Sequence, residues 1–272
     1  MSPARNSARI DAAEPTAAEV GGVPDGLTAT VPTGLAAAWG VTASAGRRGP
    51  KPAHTVEEIV TVVIDLADEE GIAAASLPKV AARVGVTANA LYGYVGSKEE
   101  LITLAGDVAW GNPPPLPAGG WREAAALWSR ELFRRFISRS WLLDVPTTVP
   151  LTPHTAAWLD ALITALEPTG MNGQDLLYCA YLLDSHARYE ANLHRTALLP
   201  AAMRRRNPDQ QRVIQSVRDF LDHQLRLRGL NAVAKILKDP SYLADETTSD
   251  GFEFGLSRIL DGIERYVDNR QR

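Results

Sequence analysis

The segment Ser76–Leu101, SLPKVAARVGVTANALYGYVGSKEEL, constrains the fold of this 272-residue chain more than any other stretch. Its spacing predicts two short helices with a tight turn between them, and a third helix that follows almost at once. Ser76 stands at an N-cap position, where a hydroxyl accepts from the free N–H groups of a first helical turn. Val80, Ala81 and Val84 then mark one apolar face at helical spacing. Gly85 falls where that helix has to stop, since glycine alone takes a left-handed backbone without penalty. Thr87 caps the next helix, which turns Leu91 and Val95 inward and leaves Asn89, Tyr92 and Tyr94 outward. Ser97 with Glu100 three residues later predicts a capping box at the start of the third helix. Helices this short do not persist alone. Packed at a steep angle they form a helix-turn-helix, whose second helix fits the major groove of DNA.

Taken in order, the helix predicted over Thr55–Glu70, then S-L-P-K-V-A, G-V, A-L-Y-x-Y-V and S-K-E-E-L, resembles the N-terminal domain of the tetracycline-repressor (TetR) family. The resemblance covers about Thr55–Trp110 without gaps. It implies an all-α fold, with an N-terminal three-helix helix-turn-helix DNA-binding domain joined to a larger C-terminal helical domain for ligand binding and dimerisation.

Composition agrees with a soluble globular protein, at 45% hydrophobic and 22% charged residues. No apolar run is long enough to span a membrane. The N-terminus has arginines but no hydrophobic core segment, so a secretory signal is not expected. The single cysteine, Cys179, cannot build an intrachain disulfide framework and fits a reducing, bacterial cytoplasm. A net charge of −4 looks wrong for a DNA binder, because phosphate neutralisation needs a basic surface. The distribution is more favourable. The first helix is acidic, with Glu57, Glu58, Asp65, Asp68, Glu69 and Glu70, but no acidic residue falls between Gly71 and Lys98. That window holds Lys79, Arg83 and Lys98, and Arg47, Arg48 and Lys51 precede the first helix. Positive charge is therefore expected on the DNA side, and the acid on another face.

Four regions follow along the chain. Residues 1–46, rich in Ala, Gly, Ser, Thr and Pro, read as a disordered extension with a brief helical turn near Leu35–Trp39. Residues 47–54 form a basic arm, which can lie along the minor groove or serve only as a solvated linker. Residues 55–111 are the helix-turn-helix domain, ending in a connecting helix over Ser97–Trp110. Three prolines and a glycine pair in 112–120 make the junction. Residues 121–272, the expected effector-binding and dimerisation domain, are nearly all helical in pattern apart from a break at Pro146, Pro150 and Pro153, with predicted helices over Trp121–Ser140, Pro153–Glu167, Gly173–Leu199, Asp209–Leu227 and Thr248–Asp268.

By resemblance, Gly173–Leu199 and Thr248–Asp268 form a four-helix interface between two copies, and a small-molecule pocket lies within the C-terminal bundle. Its candidate lining is Trp128, Phe133, Phe136, Trp141, Trp158, Tyr178, Tyr181 and Tyr189, together with His186 and Glu190, which share a face of one helix four residues apart. Aromatics at such spacing also serve simply as core. Neither a metal-ligand pattern nor a nucleophile elbow or phosphate loop accompanies them, so neither cofactor nor catalysis is expected.

The implied function is a homodimeric transcriptional regulator acting as a repressor, which leaves a near-palindromic operator when an effector binds. A ligand-independent or activating DNA-binding regulator is the alternative. Asn89, Tyr92 and Tyr94 would read DNA, Lys98 would meet a phosphate, and Thr55, Ser76, Lys79 and Thr87 would support them. Pro78, Ala88, Ala90 and Gly93 offer little to base edges, which shifts weight to the arm and to DNA shape.

Overall fold

The computed structural model describes residues 31–41, 53–145, 151–196, 208–239 and 248–270. All regular elements among them are helical, as the periodicity predicts. They are α1 (Thr33–Ala38), α2 (Val56–Glu70), α3 (Leu77–Val84), α4 (Ala88–Leu91), α5 (Lys98–Trp110), α6 (Trp121–Ser138), α7 (Pro153–Leu166), α8 (Gly173–Thr196), α9 (Pro208–Leu227), α10 (Asn231–Leu237) and α11 (Thr248–Arg270). Short 3-10 turns occupy Ile72–Ala74, Ser140–Asp144 and Glu167–Thr169. No described helix is long and apolar enough to cross a membrane.

The N-terminal unit closes around α2, whose Ile59, Val60, Val63, Ile64, Leu66 and Ala67 are buried against Val80, Ala81, Leu91, Val95 and Leu101. Three of the unit's helices, α2, α4 and α5, start on a side-chain cap written into the sequence. Thr55 and Glu58 make a reciprocal capping box, with Glu58 N–H donating to Thr55 Oγ1 and Thr55 N–H donating to the Glu58 carboxylate, both at 3.2 Å. Ser97 Oγ accepts from Glu100 N–H at 3.0 Å, as expected, but the Glu100 carboxylate reaches back one residue further, to Gly96 N–H at 3.0 Å. The box at Ser97 is thus displaced by one position, because Gly96 has no side chain to block the approach.

Gly85 ends α3 in the left-handed region at φ 86°, and the N–H groups of Gly85 and Val86 both donate to Ala81 O at 2.9 Å. Ser76 is the N-cap of α3, but its side chain makes no capping hydrogen bond.

The C-terminal unit packs α6 against α8, with α7 and α11 flanking them. Leu132, Phe136, Leu162, Leu166, Leu183, Ala187, Phe252, Leu256 and Ile263 fill its centre. Cys179 belongs to this core, where burial pushes its thiol above the ordinary range. The junction 112–120 follows Gly111, at φ 57°, which takes the chain out of α5. The long helix expected over Gly173–Leu199 is α8 as far as Thr196; residues 197–199 lie outside the described set.

Within the extension, the brief helical turn expected near Leu35–Trp39 is present one to two residues earlier. Thr33–Ala38 is a helix packed on α5, because Leu35 and its alanines supply an apolar face and Gly34 permits close approach. Residues 1–30 and the arm residues Arg47, Arg48 and Lys51 lie outside the described set.

Candidate nucleic-acid interface and effector core

The reading head is shorter than its sequence suggests. Thr87 Oγ1 accepts from Ala90 N–H at 3.2 Å and starts α4, which runs for four residues only. Gly93 N–H then donates to Ala90 O and Tyr94 N–H to Leu91 O, three residues back, so the chain tightens into turns after Leu91. Asn89 and Tyr92 are exposed, Tyr92 at 55% of its surface, while Leu91 and Val95 are sealed beneath. Tyr94, expected outward with them, is half-buried against the core instead, because the tightened turn rotates it toward the domain.

The charge pattern needs a correction. Lys79 Nζ lies 2.5 Å from Glu70 Oε2, and Arg83 Nη2 lies 2.8 Å from Glu69 Oε2. Part of the acid of α2 therefore does not face elsewhere: Glu69 and Glu70 in its last turn meet α3 and pair with two of the three cations. The hydrogen bond from Arg83 holds the Glu69 carboxyl below the usual carboxylate range. Lys98, half-exposed at the first position of α5, makes no ion pair with any described residue. Thr55 also changes role. Its N–H is taken by Glu58, and His54 Nδ1 approaches the same carboxylate at 3.2 Å, so an anion already occupies that helix start.

The expected effector residues separate into three groups. Trp128, Phe136 and Trp158 are buried together with Trp110 of α5 in edge-to-face contacts, at 5.6 Å for Trp110–Phe136 and 5.8 Å for Trp110–Trp158 and Trp128–Trp158. Two of the three indole donors of this cluster find carbonyls, Trp128 Nε1 giving to Trp158 O at 2.8 Å and Trp158 Nε1 to Gly111 O at 2.9 Å. The guanidinium of Arg188 lies 4.7 Å from the Phe136 ring centre and 5.6 Å from that of Trp110, and is oriented by Asp184 at 2.7 Å. Phe133, Phe252 and His186 form a second, parallel stack, 4.4 Å and 5.2 Å between ring centres. His186 Nε2 is 2.8 Å from Phe252 O, which accounts for one polar group inside α8. Gly255 of α11 leaves the space that the His186 ring occupies, and Glu190 lies beside Gly251.

Tyr178, Tyr181 and Tyr189 do not join these clusters. They stand on the outer face of α8, because Leu176, Cys179, Ala180, Leu183, Ala187 and Ala191 take its inner face. Trp141 is buried but serves another purpose: its indole donates to Asp68 of α2 at 2.6 Å. Sequence reasoning also missed the carboxylate of Asp107, buried on α5, which accepts from His154 N–H at 2.9 Å and contacts His154 Nδ1 at 2.8 Å. An aspartate on the inner side of an otherwise apolar helix was the available signal.

Comparison with known proteins fits this arrangement. Residues 59–104 match the model described as bacterial regulatory proteins, tetR family, and residues 113–267 match the tetracyclin repressor-like C-terminal domain. The chain belongs to the TetR family. It is 30% identical over 236 residues to the HTH-type transcriptional repressor DrrR1 of Streptomyces coeruleorubidus, covering 82% of each chain. Among solved structures, its fold is similar to that of ActR from Streptomyces coelicolor in complex with (S)-DNPA, at TM-score 0.62 and 21% identity over 78% of this chain and 97% of that one. The ActR complex with actinorhodin gives TM-score 0.61 and 22% identity, covering 78% and 96%. The TetR-family chain is thus a DNA-binding transcriptional regulator, with a helix-turn-helix reading unit followed by a helical C-terminal domain.

Proposed function

We propose that this regulator is a homodimeric repressor that holds a near-palindromic operator and leaves it when a small molecule enters the C-terminal domain. The observation that carries the DNA reading is the outward placement of Asn89 on α4 and of Tyr92 at its end, above the sealed Leu91 and Val95. Asparagine can pair with adenine through two hydrogen bonds, and a tyrosine hydroxyl suits a phosphate. Lys98 and the first turn of α3 at Ser76 supply backbone contacts, with Lys79, Thr87 and the arm residues Arg47, Arg48 and Lys51 beside them. Lys79 reaches a phosphate only by leaving Glu70. So small a head buries too little surface for specific affinity, and a two-fold dimer doubles it.

The dimer reading rests on α8 and α11. Tyr189 is 61% exposed and Phe254 68%, and Tyr178, Tyr181 and Leu182 share the outer surface of α8. Apolar groups on this scale, on helices whose opposite faces are already packed, suit a second copy of the same chain. Release rests on α5. Its C-terminal Trp110 packs against Phe136 and Trp158, so a ligand that displaces those rings tilts the helix that carries the reading head. Such a ligand acts only if it prefers the tilted arrangement. The arginine-capped aromatic cluster suits a ligand with an aromatic ring, and one fold neighbour, ActR, is known in complex with two different small molecules.

The test is selection of bound duplexes from a random library by the full-length protein, followed by sedimentation of the complex. Enrichment of a two-fold symmetric site bound by two chains is the expected result. Recovery of no preferred sequence, or of a site bound by one chain, would overturn the reading.

A further inference from the structure

Helix α1 lies outside both family matches, which begin at residue 59. Six residues cannot sustain a helix in water, so its order comes from what it touches. Its end is closed by a Schellman arrangement, in which Gly40 N–H donates to Ala37 O and Val41 N–H to Ala36 O, with Gly40 at φ 71°. Its start sits against the middle of α5. A Cβ placed on Gly34 would lie 2.9 Å from Thr103 Cβ and 3.0 Å from Glu100 Cα, so the two backbones meet at a distance that only glycine allows.

The other end of the segment reaches a different domain. Trp39 Nε1 donates to Leu151 O at 2.9 Å, just before α7. The first turn of α7 is itself held to α5 by Asp107 and His154. The DNA-side helix, the N-terminal segment and the start of α7 are therefore joined in a closed circuit.

We propose that α1 is an intramolecular clasp that holds α5 at a fixed angle to the C-terminal domain and so keeps the reading head in its DNA-competent arrangement. The proposal rests on the assignment of α5 as the connection between reading head and effector core. A hydrogen bond to a backbone carbonyl is lost when its partners move apart by about 1 Å, so tilting α5 means either carrying α1 along or breaking the Trp39–Leu151 contact. Releasing the clasp lowers the fraction of chains ready to bind, and apparent affinity falls by that fraction.

The test compares full-length wild type, Gly34→Leu, which drives α1 off α5, and Trp39→Phe, which removes only the indole donor. Hydrogen exchange is read across α5 and the start of α7, and binding is read on the duplexes selected above. Faster exchange in both segments is expected, with affinity about three- to tenfold weaker, the span of one hydrogen bond of ordinary net strength. The milder Trp39→Phe should move the same way. Unchanged exchange in α5 and α7 once α1 has left, or unchanged or tighter DNA binding, would overturn the clasp. A wild type that binds no duplex would sink the operator reading instead, and the exchange data would still decide the clasp.

Discussion

The indole of Trp141 donates to Asp68 at 2.6 Å, and the guanidinium of Arg139 reaches the other oxygen of the same carboxylate at 3.3 Å. Asp68 belongs to the reading head, and the other two residues follow α6 in the C-terminal domain. The two domains are therefore joined by a charge-assisted contact to a buried ring as well as by the covalent link through α5. Trp141→Phe keeps the ring and removes the donor. It should lower stability by about 1–2 kcal/mol, toward the lower part of the range for hydrogen bonds to charged groups because Asp68 is partly exposed. Denaturant unfolding checks this, and a cycle with Asp68→Asn should show coupling between the two positions.

Lys98 is the reading-head cation that no described acid neutralises. Lys98→Ala should weaken binding on all duplexes alike and reduce the slope of log affinity against log salt by about one. Lys79→Ala should change that slope less, because Glu70 already engages it. Fluorescence titrations at several salt concentrations separate the two.

Leu182 lies on the outer face of α8, where a second copy is expected. Leu182→Arg should give folded monomers with an unchanged helical spectrum, because the side chain is more than half exposed and does not belong to the buried core. Sedimentation equilibrium reads the outcome, and a stable dimer of this variant would move the interface elsewhere.

Gly85 joins α3 to α4 in a left-handed conformation that an L side chain adopts only with strain. Space is not the obstacle, since nothing lies within 4 Å of a Cβ built there. Gly85→Ala should therefore cost about 1 kcal/mol from backbone conformation alone, measurable as a lowered unfolding midpoint.

Arg130 of α6 meets Glu253 of α11 through two parallel hydrogen bonds, at 2.7 Å and 2.8 Å. That contact holds the Glu253 carboxyl below the ordinary glutamate range. A carboxyl depressed in the folded state stabilises above the unfolded value, about 4.3, and loses that contribution as pH falls through the lower folded value. Both side chains are partly exposed, which limits the effect to about 0.5 kcal/mol. Glu253→Gln should accordingly destabilise near neutral pH and converge with wild type in acid, as followed by thermal unfolding at pH 7 and pH 3.

Local signals carried much of the architecture. Gly85, Thr87 and Ser97 act within three or four residues of themselves, so their turn and caps were legible before any packing was known. The same holds for the helical stripes of α2, α6 and α11, whose period reports a buried face directly. Tyr94 and the displaced Glu100 contact were missed because both depend on how tightly the chain turns after Leu91. The effector residues were the least legible. Trp141, Tyr189 and Trp158 look alike in a helical pattern, yet one joins the two domains, one stands on the outer face of α8 and one is core.

By itself, the sequence determined the helix-turn-helix, its caps at Thr87 and Ser97 and its class, because those rest on contacts between near neighbours along the chain. Tertiary structure alone decided that Glu69 and Glu70 neutralise Arg83 and Lys79, that Trp141 answers Asp68, and that a six-residue helix at Gly34 lies against Thr103. Each of these pairs residues from different helices, and partner choice between helices is set by which faces pack together, a property that no local spacing encodes.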